Sequence, residues 1–175
     1  MRKTTLALAL LAAATPLPLA SAASAASLDQ QDKMFVEEAA HGGVAEVEMG
    51  KLAGQKAESA AVKQFGERMV QDHTQANQKL MAAVKGKMSG DLPTKPDEEQ
   101  QKEMQELQGM SGGKFDQAYM RTMIQDHVKD VEKFQHAAKE AKDPEVKHFA
   151  EETLPILQEH LKMARQVGSD VGVRG

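Results

Sequence analysis

"DPEVKHFAEETLPILQEHLKMA", residues 143–164, sets how the rest of the chain is read. Asp143 suits a helix N-cap, Pro144 fits the first turn, and Glu145 suits the positive end of the helix dipole. From there Val146, Phe149, Thr153, Leu157, His160 and Ala164 recur every three or four residues, the spacing of one helical face. Pro155 lacks an N–H and is expected to kink this helix. Gly168 is the expected stop. A buried face that carries a histidine raises a question, because imidazole is costly to bury without a partner.

Three further segments share the helical period. The first helix is expected over about Gln30–Ala53, with Phe35, Ala39, Gly42, Glu46, Met49 and Ala53 inward. The second is expected over about Ser59–Lys85, with Val62, Phe65, Met69, His73, Ala76, Leu80 and Ala83 inward. "GKMSGDLPTKP" reads as a loop, followed by a short polar helix over about Asp97–Gln108 anchored by Met104 and Leu107. The third long helix is expected over about Lys114–Ala141, with Met120, Met123, His127, Val131, Phe134 and Ala138 inward. Short turns make the first and second helices antiparallel neighbours, and likewise the third and fourth. The fold class is therefore all-α: a four-helix bundle with a short extra helix in the connection between the second and third long helices. "VKQFGE" in the second helix and "VKHFAE" in the fourth hint at a duplicated hairpin, as do "MVQDH" at Met69 and "MIQDH" at Met123.

The first 25 or so residues are read apart. A basic start, an apolar run and "ASAASAAS" form a signal-peptide pattern whose apolar core is short of the roughly 20 residues a membrane span needs. The expected division is residues 1–25 as signal peptide and 26–175 as the helical domain, periplasmic or secreted, with no integral membrane insertion. The chain contains no cysteine, so disulfides do not stabilise it. The formal charge is −4, and −6 without Arg2 and Lys3. An acidic chain with one tyrosine and no tryptophan is a poor nucleic-acid binder.

Glu46, His73, His127 and His160 fall on inward positions of four different helices. At about 1.5 Å per residue they gather near mid-height, whether the bundle is simply antiparallel or has a crossover connection. Imidazole and carboxylate on facing helices suit a metal ion, with Fe, Cu and Zn as candidates. Asp72 and Asp126 point about 100° away and are placed to accept hydrogen bonds from imidazoles of a neighbouring helix. Met69 and Met123 precede two of the histidines by one turn, and a Met–His cluster favours copper. The competing reading has no metal: a buried polar network fixes helix register in a structural or envelope-stress protein. No nucleophile elbow, HExxH or dinucleotide fingerprint is present, so binding is favoured over catalysis.

"FVEEAAHGGVAEVEMGKLA", "MVQDHTQAN", "SGGKFDQAYM" and "TLPILQEHLKMA" resemble, in order, the bacterial family called domain of unknown function 4142. The resemblance covers about Met34 to Ala164 and implies an exported, helical, ferritin-like protein with no assigned reaction. The chain departs from the di-iron ferritin pattern. Three residues before His73, His127 and His160 stand Val70, Ile124 and Leu157 instead of glutamate, which speaks against a ferroxidase or di-iron oxygenase centre and leaves a mononuclear, His-rich site open.

Overall fold

The structure, a computed structural model, describes residues 27–173. The expected signal peptide lies outside the described residues. Five helices follow in chain order: α1 (Gln30–Lys56), α2 (Ala60–Ala83), α3 (Glu98–Gln108), α4 (Gly112–Glu140) and α5 (Pro144–Asp170). The described residues contain no strand. They also contain no helix long and apolar enough to cross a membrane.

Helix boundaries follow local chemistry. Asp29 caps α1 by accepting from the Asp32 N–H, and Asp97 and Gln100 form a reciprocal capping box on α3. Asp143 accepts from the N–H groups of Glu145 and Val146, with Pro144 in the first turn, as the sequence predicts. α5 continues through Pro155, which lies on its exposed face. It also continues past Gly168. The chain reverses instead at Gly172, whose φ of +86° suits a residue without Cβ. Gly168 is buried, and a Cβ there would meet the Ile124 side chain at 3.0 Å.

α1 packs against α2 and α4, and α5 against α2 and α4, so the long helices form a ring in the order α1, α2, α5, α4. Two buried aspartates fix how the hairpins oppose each other. Asp32, at the start of α1, accepts from the N–H groups of Lys142 and Asp143 in the α4–α5 turn. Asp116, at the start of α4, accepts from the N–H groups of Glu58 and Ser59 in the α1–α2 turn. The two hairpin turns therefore lie at opposite ends. The segment carrying α3 crosses the length of the molecule, and α2 runs parallel to α4. Of the two topologies open at the sequence level, this is the crossover.

The clasps reveal the register of the internal repeat. Asp32 and Asp116 are 84 residues apart, as are Val62 and Val146, and Phe65 and Phe149. The two QDH motifs, 54 residues apart, are off this register and lie on non-equivalent helices. Their likeness does not support the duplication, whereas the VKQFGE–VKHFAE match does.

Two apolar clusters fill the interior. One, nearer the α1–α2 turn, contains Met49, Phe65, Met69, Phe115, Tyr119 and Met123. The other, nearer the α4–α5 turn, contains Val36, Leu80, Phe134, Val146, Phe149 and Leu157. The buried Glu46, His73, His127 and His160 belong to neither cluster and lie at the level between them. All six inward positions expected on α5 are buried. On α1 the start of the face is displaced by one residue: Val36, Ala40 and Gly43 are buried, while Phe35, Ala39 and Gly42 are half-buried. Phe35 instead borders the core, edge-on to Phe134 at a centroid distance of 5.0 Å.

α1 and α2 approach backbone to backbone above the polar layer. A Cβ on Gly50 would sit 2.6 Å from the Gly66 carbonyl oxygen, and one on Gly66 would sit 2.8 Å from that of Gly50. Gly50→Ala should therefore destabilise by about 1–3 kcal/mol, because the backbone must move. Gly54→Ala, at an exposed helical position with nothing within 4 Å of an added Cβ, should stabilise by about 0.5–1 kcal/mol. Asp116→Ala should cost about 1–3 kcal/mol by leaving two N–H groups of the turn without their acceptor. Urea melts of the three variants check the signs, and a stabilised Gly50→Ala would contradict the close approach.

Candidate metal centre

α2, α4 and α5 bring His73, His127 and His160 into one cluster. Each offers a ring nitrogen, and these three atoms lie within 4.8 Å of one another. The ring centroids are 5.7 Å apart for His73–His127, 5.4 Å for His73–His160 and 5.3 Å for His127–His160. His127 and His160 are fully buried and His73 is 7% exposed. A cleft of about 220 Å³ between α2 and α5, lined by Arg68, Asp72, His73, Thr153, Leu157 and His160 among others, reaches the cluster from solvent.

The hydrogen bonds determine the tautomers. His127 Nδ1 lies 2.9 Å from the Met123 carbonyl oxygen, which can only accept, so Nδ1 carries the hydrogen. His160 Nε2 lies 2.8 Å from Oδ2 of Asp72. Burial pushes the Asp72 carboxyl upward, but hydrogen bonds from Arg68 and His160 outweigh it and hold the carboxyl below its usual range. Asp72 is thus an ionised acceptor, and His160 Nε2 carries the hydrogen. The remaining nitrogens, His127 Nε2 and His160 Nδ1, face each other at 3.3 Å. In the neutral rings both are lone pairs, with no hydrogen between them. His73 Nε2 is buried and has no hydrogen-bond partner.

The rings are neutral near pH 7. Burial, then the neighbouring His160, lowers His127 to about 4. Burial, then His127 and His160, holds His73 well below the usual imidazole range. Burial also lowers His160, against the opposing effect of Asp72. Two lone pairs thus face each other beside the His73 ring, in an interior that supplies no proton, and three ring nitrogens are close enough together to suit a metal ion. Nitrogens 3.3 Å apart and each about 2.0 Å from a common ion would subtend about 110°, the tetrahedral angle.

The other expected residues are placed differently. Glu46 is buried, but its Oε1 lies 3.6 Å from Nδ1 of His127, the ring nitrogen already bonded to Met123. Its Oε2 has no partner, and it does not join the three-nitrogen cluster. Burial, then Asp130, Asp126 and Glu103, pushes its carboxyl well above the usual range. Asp72 accepts a hydrogen bond from the imidazole of His160 on α5. Asp126 does not: it pairs with Lys129 at 3.6 Å and bonds no histidine. The same 100° offset from the inner face turns Asp72 toward α5, which presents His160, and Asp126 toward the acidic residues of α1 and α3. Met69 and Met123 are fully buried, and the hydrogen bond from Met123 to the site is made by its carbonyl oxygen. His41 bonds the Lys95 carbonyl oxygen, and His136 and His148 are exposed. Sequence reading missed Arg68, which pairs with Asp72 and so helps to hold His160. The four-residue spacing of Arg68 and Asp72 on one helix was the available signal.

The sequence profile described as "Domain of unknown function (DUF4142)" matches residues 17–167, and the chain belongs to that family. No curated protein matches it. Among solved structures, the chain resembles a DUF305 protein from Streptomyces coelicolor at 14% identity and a TM-score of 0.68, covering 82% of this chain and 95% of that one. It also resembles CopM in the Cu(II)-bound form at 17% identity and a TM-score of 0.67, covering 79% of this chain and 96% of that one. At these identities the likeness shows a shared helical fold.

The imidazoles and the nearby carboxylates impose opposite pH dependences. Below about pH 6.5 the unfolded chain binds protons that the buried histidines refuse, so stability falls as the pH drops toward the folded-state values. Asp130, raised to about 6 chiefly by burial, keeps a proton that the unfolded chain has lost. Its contribution is present below about pH 3.8 and is lost as the pH rises through 6. Metal-free His73→Leu should therefore lose less stability than wild type between about pH 7 and pH 5. Asp130→Asn should gain on wild type between about pH 4 and pH 7, by an amount on the order of 1–3 kcal/mol. Urea melts across pH test both, and parallel profiles for wild type and His73→Leu would show that the folded-state imidazoles are not held neutral.

Proposed function

We propose that this protein is an exported, ferritin-like four-helix-bundle protein that binds one copper ion through His73, His127 and His160. The carrying observation is the pair of imidazole lone pairs facing each other at 3.3 Å, with both outer ring nitrogens already bonded to acceptors. A hydrogen-bonded network without an ion leaves that contact without a hydrogen and His73 Nε2 without a partner. A cation at the centre satisfies all three.

Copper is favoured over zinc and iron on the chemistry of the donors. Three neutral imidazoles, with one carboxylate acting through His160, place little negative charge around the ion. A monovalent ion is the least costly to bury in such a set, and cuprous copper accepts three nitrogens. Asp72 orients His160 and strengthens it as a donor through the Nε2 hydrogen bond. The cluster of convergent ligand atoms contains no carboxylate to bridge two ions, which argues against a di-iron centre. CopM, a protein of similar fold solved in a Cu(II)-bound form, supports copper as the element. The ligands are inside and the cleft of about 220 Å³ is smaller than the roughly 300 Å³ or more of a small-molecule pocket, so the protein holds or hands over an ion and has little space to turn over a substrate. Residues 1–25 act as the export signal in this reading, and 26–175 form the mature domain.

Elemental analysis of untagged protein purified without chelators is the direct test, with copper expected at one per chain. Thermal melts of the stripped protein with Cu(I), Cu(II), Zn(II) and Fe(II) supply the energetics. An ion at a hundredfold excess over Kd should stabilise the fold by about 2.7 kcal/mol. His73→Ala, His127→Ala and His160→Ala should each abolish most of that gain, and Glu46→Gln should keep it. The His73/His127 double variant should lose less than the sum of the singles, because both share one ligand. A protein that no ion stabilises, with each histidine substitution costing about 1–3 kcal/mol in chelator, would replace the copper reading with a polar network.

A further inference from the structure

A second cavity lies on the opposite side of His127 from the three-nitrogen cluster. It occupies about 520 Å³ between α1, α3 and α4, and its walls carry seven carboxylates against two lysines. We infer that this cavity binds a hard divalent cation, of the calcium or magnesium class, that keeps part of its water shell and is held by Glu46, Asp126, Asp130 and Glu103. This inference does not depend on copper binding by the imidazoles.

A group of acidic residues alone would not identify such a site. The added observation is Glu46, which lines the cavity, is only 2% exposed and has an Oε2 without any hydrogen-bond partner. An acceptor left unpaired in a protein interior costs free energy that a cation would recover. The lysines do not supply the missing charge. Lys129 lies 3.6 Å from Asp126 and 4.0 Å from Glu99, and Lys133 lies 2.8 Å from Glu38. Both lysines are about half exposed at the rim. Among the described residues, Glu103 and Asp130 make no ion pair, and Glu46 meets only the neutral His127.

The electrostatics agree with the geometry. Burial raises Asp130 and Glu103 alike, and each is raised further by carboxylates among its neighbours. Oxygen donors without imidazole or sulfur suit a hard ion. The carboxylate oxygens are not gathered as tightly as the three histidine nitrogens, the described cluster that has its ligand atoms within 4.8 Å of one another. A bare, fully coordinated ion therefore does not fit. A partly hydrated one does, since a water takes about 30 Å³ and magnesium in particular gives up its waters reluctantly. Its charge would also fasten α3 to α1 and α4. α3 contributes Glu103 to the cavity and only Leu107 as a fully buried apolar anchor.

Terbium, a luminescent stand-in for calcium, suits the test. The chain has one tyrosine and no tryptophan, and that tyrosine, Tyr119, lies close enough to Glu46 to be affected by its charge. Terbium added to the folded, metal-stripped protein should emit when tyrosine is excited, and excess calcium or magnesium should displace it. Asp126→Asn combined with Asp130→Asn should weaken terbium binding about tenfold or more. Glu103→Gln, on the half-buried face of α3, should weaken it less. Circular dichroism must show each variant folded, and if the double variant does not fold, Glu103→Gln carries the test. His160→Ala should leave emission unchanged, which separates this cavity from the imidazole cluster. Absence of tyrosine-sensitised emission from wild type would overturn the inference. So would undiminished binding in the folded carboxylate variants, or emission lost in His160→Ala.

Discussion

Asp32 and Asp116 each hold the turn of the opposite hairpin by accepting its backbone N–H groups. The rest of the architecture depends on those clasps. Each accepts from partly buried N–H groups of the turn that have no helical partner, and each fixes the axial position of one hairpin against the other. With the turns at opposite ends, α2 and α4 run parallel and the connection through α3 must cross the molecule. His127 and His160 then meet at one level although they lie 33 residues apart on antiparallel helices. A slip of one turn would move a side chain by about 5 Å, more than the nitrogen-to-nitrogen distance at the centre.

The polar layer held at that level is costly. Three imidazoles lie among apolar side chains, and His73 Nε2, Glu46 Oε2 and Tyr119 OH are buried without partners. Each orphan is worth about 1–3 kcal/mol of lost stability, against a total of roughly 5–15 kcal/mol for a typical domain. Such violations of core chemistry concentrate where a protein binds something. The layer also divides in two at His127. One ring nitrogen faces the imidazole cluster, while the other bonds the Met123 carbonyl and lies beside Glu46 and the acidic cavity. One side offers neutral nitrogen donors and the other offers carboxylate oxygens, which select different classes of cation.

Much of this was legible in the residues. Apolar periodicity located the helices because burial of one face imposes the 3.6-residue period regardless of partner. It placed His73, His127 and His160 inward, and the start of α5 followed from Asp143 and Pro144. The face of α1 was the least legible. Alanine and glycine dominate it, so its pattern had little contrast, and Phe35 drew the reading one residue toward the margin. Asp32 and Asp116 went unread as buried residues, because an aspartate in the first turns of a helix ordinarily serves the dipole from the surface. Arg68 was overlooked for a similar reason: an ion pair four residues apart is common on exposed helices and marks nothing until its carboxylate is seen to hold an imidazole.

By itself the sequence determined an all-helical chain, the helix boundaries to within a few residues, the family and the set of inward histidines. These are local properties, carried by side-chain periodicity and capping chemistry within single segments. Tertiary structure decided the crossover, the tautomers and the separation of Glu46 from the three-nitrogen cluster. It also decided the different surroundings of Asp72 and Asp126, two residues with nearly identical local sequence. The reason is physical. Which face of a neighbouring helix a side chain meets depends on axial register and packing order, and those were fixed here by two carboxylates bonding backbone more than 50 residues away in sequence.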